Sequence, residues 1–442
     1  MKPTRETLHG WGRVDVPGRE VRSEDLSALT VARPLTRGLG RSYGDSSLPP
    51  PTDPVAASSV LADRVLSFDA DTLLLRAEAG LALVDLLRLL RPRRLFPAVV
   101  PGTQHVTLGG MVAADVHGKN HHVDGCFGAH VTSLTMRVAD GRIVRCGPNE
   151  EPELFRATVG GMGLTGHILD VEMRLRPIPT AWILAESERI PDIDAFVAAL
   201  KRSARDWPFT MGWIDCLKSG RHLGRGILMR GRWATPGEAP NVPPPTKPHP
   251  SVPFVFPGFV VTPLSVRAFN SLYFNVHPRS MRRGIAHPES FFHPLDVVGE
   301  WNRMYGPRGF TQYQCVLPDS SGPSTARRFL ERLTRLGGAS MLCVIKDCGE
   351  EGTGILSFPR RGISIACDIP IRDGTQAIVD SLNELVLAEG GRVYLAKDNF
   401  TRREHFAAME PRLAEFGRIR RQWDPDGRLR SVQSIRLFGD RA

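Results

Sequence analysis

The sequence predicts an α+β protein of two lobes. The chain has 442 residues, long for one domain. Its second half sets strand-like runs at 309–317, 339–346 and 362–371 among helical patterns at 324–336 and 375–389. That order belongs to an antiparallel sheet covered by helices. The first 170 residues instead gather glycines in three clusters, at 38–44, 102–118 and 160–166, separated by short strands. These contrasts divide the chain into a first domain over 8–180, a second over 181–390 and a C-terminal segment over 391–442.

The elements follow from local pattern. Residues 8–12 are turn-rich, and 36–45 form a glycine loop. Strands are predicted at 65–68 and at 72–79, where apolar residues alternate, and a helix at 81–90, where leucines recur at helical spacing. A buried strand at 95–100 leads into 101–131. Runs 133–138 and 143–146 flank Asp140-Gly141, a hairpin signal. A short helix at 153–158 and a strand at 168–175, stopped by Pro177, complete the first lobe. The second lobe opens with a helix at 193–204 and strands at 209–216 and 226–233. Nine prolines in 234–259 predict a surface strap. A last strand at 392–396 precedes a helical tail at 402–424.

Composition excludes several classes. The hydrophobic share of 41% and charged share of 24% are those of an ordinary globular protein. The net charge of +10 is spread along the chain, and its densest arginine runs, 88–94 and 418–421, sit in amphipathic patterns. They read as solvated helix faces, so no nucleic-acid partner is expected. Seven cysteines without a CxxC pair lie mostly in apolar runs, which fits buried free thiols in a reducing compartment. No secretory signal or membrane-spanning run is visible. The expected location is cytoplasmic or peripheral at a membrane.

The stretch 101–131 carries five histidines and six glycines with little charge. Glycine lets main chain approach a bulky ligand closely. The stretch reads as the wall of a cofactor site, with His117 and Lys119 as its polar contacts. A zinc site on His117, His121 and His122 would need a regular helix and another ligand; Gly118 argues against the first, and no carboxylate or cysteine supplies the second. No metal is assigned, and His121 and His122 read as structural. No P-loop is present, and Gly38, Gly40 and Gly44 do not match a Rossmann turn. Three separate glycine loops instead suit a long ligand whose diphosphate is held by main-chain N–H groups. A flavin dinucleotide meets that demand.

The motifs RGLGRSYGD, PGTQHVTLGGMVAADVHGKNHH, GCFGAHV and GGMGLTG, with FFHPLD, EWNRMYGPRGFTQYQ, YLAKDN and DPDG, span nearly the whole chain. Together they resemble the decaprenylphosphoryl-ribose 2′-oxidase family of the vanillyl-alcohol oxidase/PCMH-type FAD superfamily. The resemblance implies a PCMH-type FAD-binding domain, a substrate domain over the flavin and a C-terminal segment returning to the first lobe. It implies that Arg37, Gly38, Leu39, Gly40, Arg41, Ser42, Tyr43 and Gly44 hold the pyrophosphate, and that Gly102, Thr107, Leu108, Gly109 and Gly110 line the cofactor further along. Ala114, Asp115, Val116 and His117 would run beside the flavin ring, Ile168 near the adenine, and Tyr394 against the flavin. The HG pair at His117 carries FAD covalently in several relatives; the closer resemblance implies non-covalent FAD.

Lys397, directly after the last strand, is the strongest catalytic candidate, because a cation there would stabilise charge arriving on the flavin. Lys346 interrupts an apolar strand, and the resemblance puts it in a substrate pocket with Lys119, Trp213, Phe292 and Gln314. Two positions depart from the family: Phe292 replaces a tyrosine, and Ala366 stands where a pocket cysteine is usual. Cys367, one step along the strand, is expected on the opposite face. The implied activity is oxidation of a secondary sugar hydroxyl to a ketone, on a polyprenylphosphoryl-ribose or on a soluble sugar or polyol. An NAD(P)H-dependent reductase partner would complete an epimerisation. A flavin-binding protein without turnover is the reading from another class.

Overall fold

The computed structural model describes residues 6–245, 249–338 and 340–441. Among these residues the strands form four sheets, and the two largest carry the architecture. Near the N-terminus, Arg19–Arg22 and Thr36–Arg37 both pair in parallel with Val55–Ser58. The glycine loop therefore leaves the carboxyl end of a short parallel sheet.

The first large sheet is antiparallel. Its order is Ile143–Cys146, Val131–Arg137, His167–Pro177, Leu74–Glu78, Val65–Asp69, with Leu95–Pro97 paired to the end of the long central strand. Gly141 closes the hairpin at φ 94°, where a side chain would be strained. Helix Leu83–Leu90 buries Leu83, Leu86, Leu87 and Leu90, the spacing of a single helical face.

The second large sheet has eight antiparallel strands, in the order Arg282–Ala286, Ile183–Ile190, Gly226–Trp233, Phe209–Ile214, Cys343–Cys348, Gly362–Pro370, Phe310–Pro318, Arg392–Val393. Helices Ile193–Asp206, Thr325–Arg335 and Thr375–Ala388 supply apolar side chains to the core on one face. Asp192 caps the first by accepting from Asp194 N and Ala195 N. Strand Phe310–Pro318 is buried along its whole length, so both faces of the sheet are covered. Strand alternation then sorts residues by face. Tyr313, Cys315, Ile365 and Cys367 join the helix-side core, and Gln312, Gln314, Ala366 and Asp368 point the other way.

The tail returns to the other half of the molecule. Leu395, Phe406, Phe416 and Leu437 belong to the core built by the first large sheet. The tail itself differs from the single helix expected over 402–424. It is two helices, Arg403–Met409 and Leu413–Trp423, interrupted at Pro411, followed by a third, Val432–Phe438. Proline lacks the N–H that would continue the first helix. Strand Cys343–Cys348 starts later than expected, and residue 339 of the expected run lies outside the described residues. Residues 246–248 of the proline-rich strap do so too. The run 95–100 is a strand only at Leu95–Pro97, and the run 392–396 only at Arg392–Val393, after which a turn carries Lys397. Strands Ile183–Ile190 and Arg282–Ala286 and helix Pro263–Val276 were not expected from pattern. All seven cysteines are buried and free. Among the described residues no helix is long and apolar enough to cross a membrane.

Candidate active site

The site is built where the histidine stretch lies across the sheet face away from the helices. Three contacts pin it there. Gln314 Nε2 meets His117 Nε2 at 3.0 Å, Thr210 N donates to the Lys119 carbonyl at 2.9 Å, and Gly349 N donates to His121 Nδ1 at 3.0 Å. Strand register gathers the facing residues. Gln314 is opposite Ala366, Ala366 opposite Val344, and Val344 opposite Trp213, one row across four strands. Lys346 is opposite Ser364, which also accepts from Gln314 at 3.2 Å.

His117 is buried, with Tyr394 and Phe358 rings 5.1 and 5.5 Å away. Burial, with Lys346, His121 and Lys397 nearby, holds its pKa well below the usual value, so the ring is neutral. The Gln314 amide must donate to Nε2, which leaves the ring proton on Nδ1. Nδ1 is buried without a partner. Tyr394 OH donates to the Ala114 carbonyl at 2.9 Å, and Tyr394 stacks on Phe358 at 4.8 Å. Asp115, at φ 38°, accepts from Gly128 N and from the Ser357 hydroxyl. Burial raises its pKa to about 6.

Lys397 and Lys346 are half-buried, and neither ammonium makes a hydrogen bond or ion pair among the described residues. The Lys397 ammonium sits 3.5 Å above the Tyr43 ring. Burial lowers its pKa to about 7, Asp368 opposing the shift and Lys346 adding to it. Asp368 is fully buried; it accepts from Gln312 Nε2 at 2.5 Å and Tyr305 OH at 2.9 Å. Burial raises its carboxyl to about 7 against those bonds. Burial, with Lys346 nearby, also lowers the Lys119 pKa, and its ammonium donates to the Phe292 carbonyl at 2.9 Å.

The glycine loop joins this site to the chain's far end. Tyr43 N donates to the Ala396 carbonyl at 2.9 Å. A Cβ on Gly44 would lie 1.8 Å from the Asp398 carbonyl oxygen, and one on Gly38 would lie 2.3 Å from Thr107 Oγ1. Close main-chain approach thus requires both glycines. Arg436 clamps the arrangement, bonding Asp45 and Asp398 at 2.8 Å each. Among the described residues the N–H groups of Gly38, Leu39, Gly40, Arg41 and Ser42 have no main-chain partner, an anion-ready run.

Not every expected residue offers its side chain. The Arg37 guanidinium is consumed by Glu20, Ser47 and the His9 carbonyl, so it braces the loop from behind. Leu108 and Ile168 point into the core. Leu108 N and Gly109 N donate to the Leu81 and Ala79 carbonyls, and Gly110 N to Thr107 Oγ1. Val116 is buried; Gly102 is exposed, with nothing within 4 Å of its would-be Cβ. Phe292 stands among Phe96, Phe209, Phe291 and Trp233 as part of an aromatic cluster. Trp213 Nε1 donates to the Met341 carbonyl. Sequence reasoning missed Gln312, Tyr305, Ser364, Asp368 and Phe358. Gln312 carried a usable signal, since two glutamines two apart in an apolar strand must share a face.

The uncommitted loop amides, the unpartnered His117 Nδ1 and the free lysines fit a large anionic aromatic group such as FAD. Comparison agrees with this. Residues 31–147 match the FAD binding domain family. The chain is 34% identical to decaprenylphosphoryl-β-D-ribose oxidase of Mycolicibacterium smegmatis, over 98% of both chains. It is 32% identical to an uncharacterised protein of the mprA 5′ region of Streptomyces coelicolor, over 80% of this chain and 98% of that one. It is 30% identical to L-gulonolactone oxidase of Mus musculus over 26% of each. The chain is an FAD-dependent oxidoreductase and belongs to the family that includes decaprenylphosphoryl-β-D-ribose oxidase.

Proposed function

We propose that the protein oxidises the 2′-hydroxyl of a polyprenylphosphoryl-β-D-ribose to a ketone, the first half of an epimerisation. The observation that carries this reading is the pair of lysines beside His117 and Gln314 that no carboxylate pairs among the described residues, Lys346 on the polar sheet face and Lys397 in the turn after Arg392–Val393. A phosphate-bearing sugar suits a site whose lysines, Lys346 among them, no carboxylate neutralises, better than a neutral lactone does. The near-full-length likeness to a lipid-linked ribose oxidase supports it further. Residues 8–180 and 391–442 would then serve the cofactor, and 181–390 the substrate.

A secondary alcohol loses a hydride from carbon and a proton from oxygen. FAD, when bound, supplies the hydride acceptor. Lys397, with its pKa drawn down to about 7, can take the hydroxyl proton as a neutral amine and then stand as the cation that offsets the arriving charge. Lys346 and Lys119 would orient the phosphate side, and Gln314 the sugar hydroxyls. We read the flavin as non-covalent, because the one in-plane lone pair of a His117 ring protonated on Nδ1, that of Nε2, is directed at the Gln314 amide and away from a carbon partner. The ketone product would pass to an NAD(P)H-dependent reductase.

Anaerobic mixing with a short-chain prenylphosphoryl-ribose, with free alditols and with aldonolactones tests the reading. Bleaching of the flavin band by the phosphoribose alone supports it. Bleaching by the lactone or alditol would replace it with a soluble-sugar oxidase, and no bleaching by any of them with a non-catalytic flavin protein. Acid precipitation checks the linkage: released flavin is non-covalent, and flavin in the pellet is bonded to His117.

A further inference from the structure

Helix Pro263–Val276 is amphipathic in the wrong sense for a globular surface. Its buried residues are Val266 and the polar Asn270, whose amide donates to Asp215 and to the Ser340 carbonyl. Three of its largest apolar residues face outward: Leu264 is 77% exposed, Leu272 66% and Val276 72%. With Ala268 these form an i, i+4, i+8, i+12 stripe. Phe254 and Phe259 of the preceding strap are 62% and 77% exposed, and Met281, just before the edge strand Arg282–Ala286, is 51% exposed. A second run of exposed apolar side chains, Val65, Leu66 and Phe68 with Leu61, lies along the edge strand Val65–Asp69; the run here is longer and spans strap, helix and edge strand.

Charge says what covers this surface. Residues 239–288 contain no Asp or Glu, in a chain that has 47 of them. The same stretch carries Arg267, Arg279, Arg282 and Arg283, all exposed. Of these, Arg283 lies 3.6 Å from Glu186, and the other three have no ion pair among the described residues. Glu186 and Glu188 of the neighbouring strand are the nearby carboxylates, and Arg230 engages both; Arg267, Arg279 and Arg282 stay unpaired among the described residues beside the apolar side chains, which makes the face complementary to an anionic bilayer surface, where acyl chains accept the apolar groups and phosphates the arginines.

The surface also adjoins the site. Tyr273 of the helix packs edge-on against Trp213, with ring centroids 4.7 Å apart. The strap is bound through Phe256 N to the Arg303 carbonyl, and Trp301 of that same segment packs against Tyr43, beneath Lys397. We propose that helix Pro263–Val276, with Phe254, Phe259 and the Arg279–Arg283 turn, docks the protein on the surface of a membrane rich in anionic phospholipid. The inference stands on this surface and does not require the proposed reaction.

Flotation of the full-length, FAD-loaded protein with vesicles tests it. Phosphatidylcholine vesicles are compared with phosphatidylcholine mixed ~3:1 with phosphatidylglycerol. The protein is expected to float with the mixed vesicles and to be released by salt. L272E/V276E changes only exposed side chains, so it keeps its flavin and its melting temperature, yet binds at least ~10-fold more weakly. R279E/R282E loses the preference for phosphatidylglycerol. The proposal is overturned by wild-type protein that stays with neither vesicle, or by L272E/V276E floating like wild type. It is also overturned by a wild-type dimer in solution, without vesicles, that L272E/V276E dissolves, since the face would then be covered by a second copy.

Discussion

Gln314 donates its amide to His117 Nε2 across 3.0 Å, joining residues 197 positions apart in one buried contact. This bond selects the ring's tautomer and fixes the histidine stretch over the sheet. Gln314→Leu removes the donor and strands a buried nitrogen, a loss of about 1–3 kcal/mol. The variant is expected to melt lower and to hold FAD more weakly, as read by thermal denaturation and flavin titration. Gln314→Glu should raise the His117 pKa instead, visible as a new ionisation in the flavin spectrum.

Lys397 titrates near pH 7 because burial disfavours its charge. If its neutral amine takes the hydroxyl proton, the rate of flavin reduction rises with pH through about 7 and then levels. Lys397→Met should slow that step roughly 10²–10⁴-fold while FAD content stays normal. Lys397→Arg should lose the pH dependence. Stopped-flow absorbance across pH 5.5–9 (roughly the range of interest around that ionisation) decides it, and an unchanged profile in Lys397→Met would remove the residue from the chemistry.

The loop glycines are not equivalent. Gly44→Ala drives a methyl to 1.8 Å from the Asp398 carbonyl oxygen, where both partners are main chain. The expected result is little folded protein. Gly102→Ala meets nothing within 4 Å and should fold normally. Differential scanning calorimetry of both variants, with and without FAD, separates the two.

Asp368 keeps its proton to about pH 7 in the folded chain, well above an unfolded carboxyl. Its pKa is raised by folding, so the stability it contributes is complete below about pH 4 and is lost as pH rises through 7. Asp368→Asn abolishes that dependence. Denaturant unfolding at pH 4.5 and pH 8 should show the wild type losing up to about 3 kcal/mol relative to the variant.

Much of the fold could be read from pattern where pattern and burial agree. The Asp140-Gly141 hairpin and the helix Thr375–Ala388 have their expected places because a turn residue or an apolar face marks each. Helix Pro263–Val276 escaped because three of its largest apolar residues face outward and its buried face carries Asn270, so periodicity pointed nowhere. Strand Ile183–Ile190 escaped because it spends Glu186 and Glu188 on Arg230 of the neighbouring strand, which reads as a charged loop. In the site, the histidine stretch and Lys397 were legible from composition and position. The Gln312–Asp368–Tyr305 set was not, since it exists only where strand pairing sets Gln312 against Asp368, 56 residues on, and the helical turn Trp301–Tyr305 brings in Tyr305.

The clamp that Arg436 forms on Asp45 and Asp398 has a consequence for biosynthesis. Asp45 leaves the ribosome 391 positions ahead of the arginine it waits for. Until the helix Val432–Phe438 emerges, Asp45 and Asp398 lack their shared cation, and the two loops bearing Tyr43 and Lys397 lack their tether. No nascent intermediate can therefore hold a finished flavin pocket, and cofactor capture becomes a late event in the life of the polypeptide.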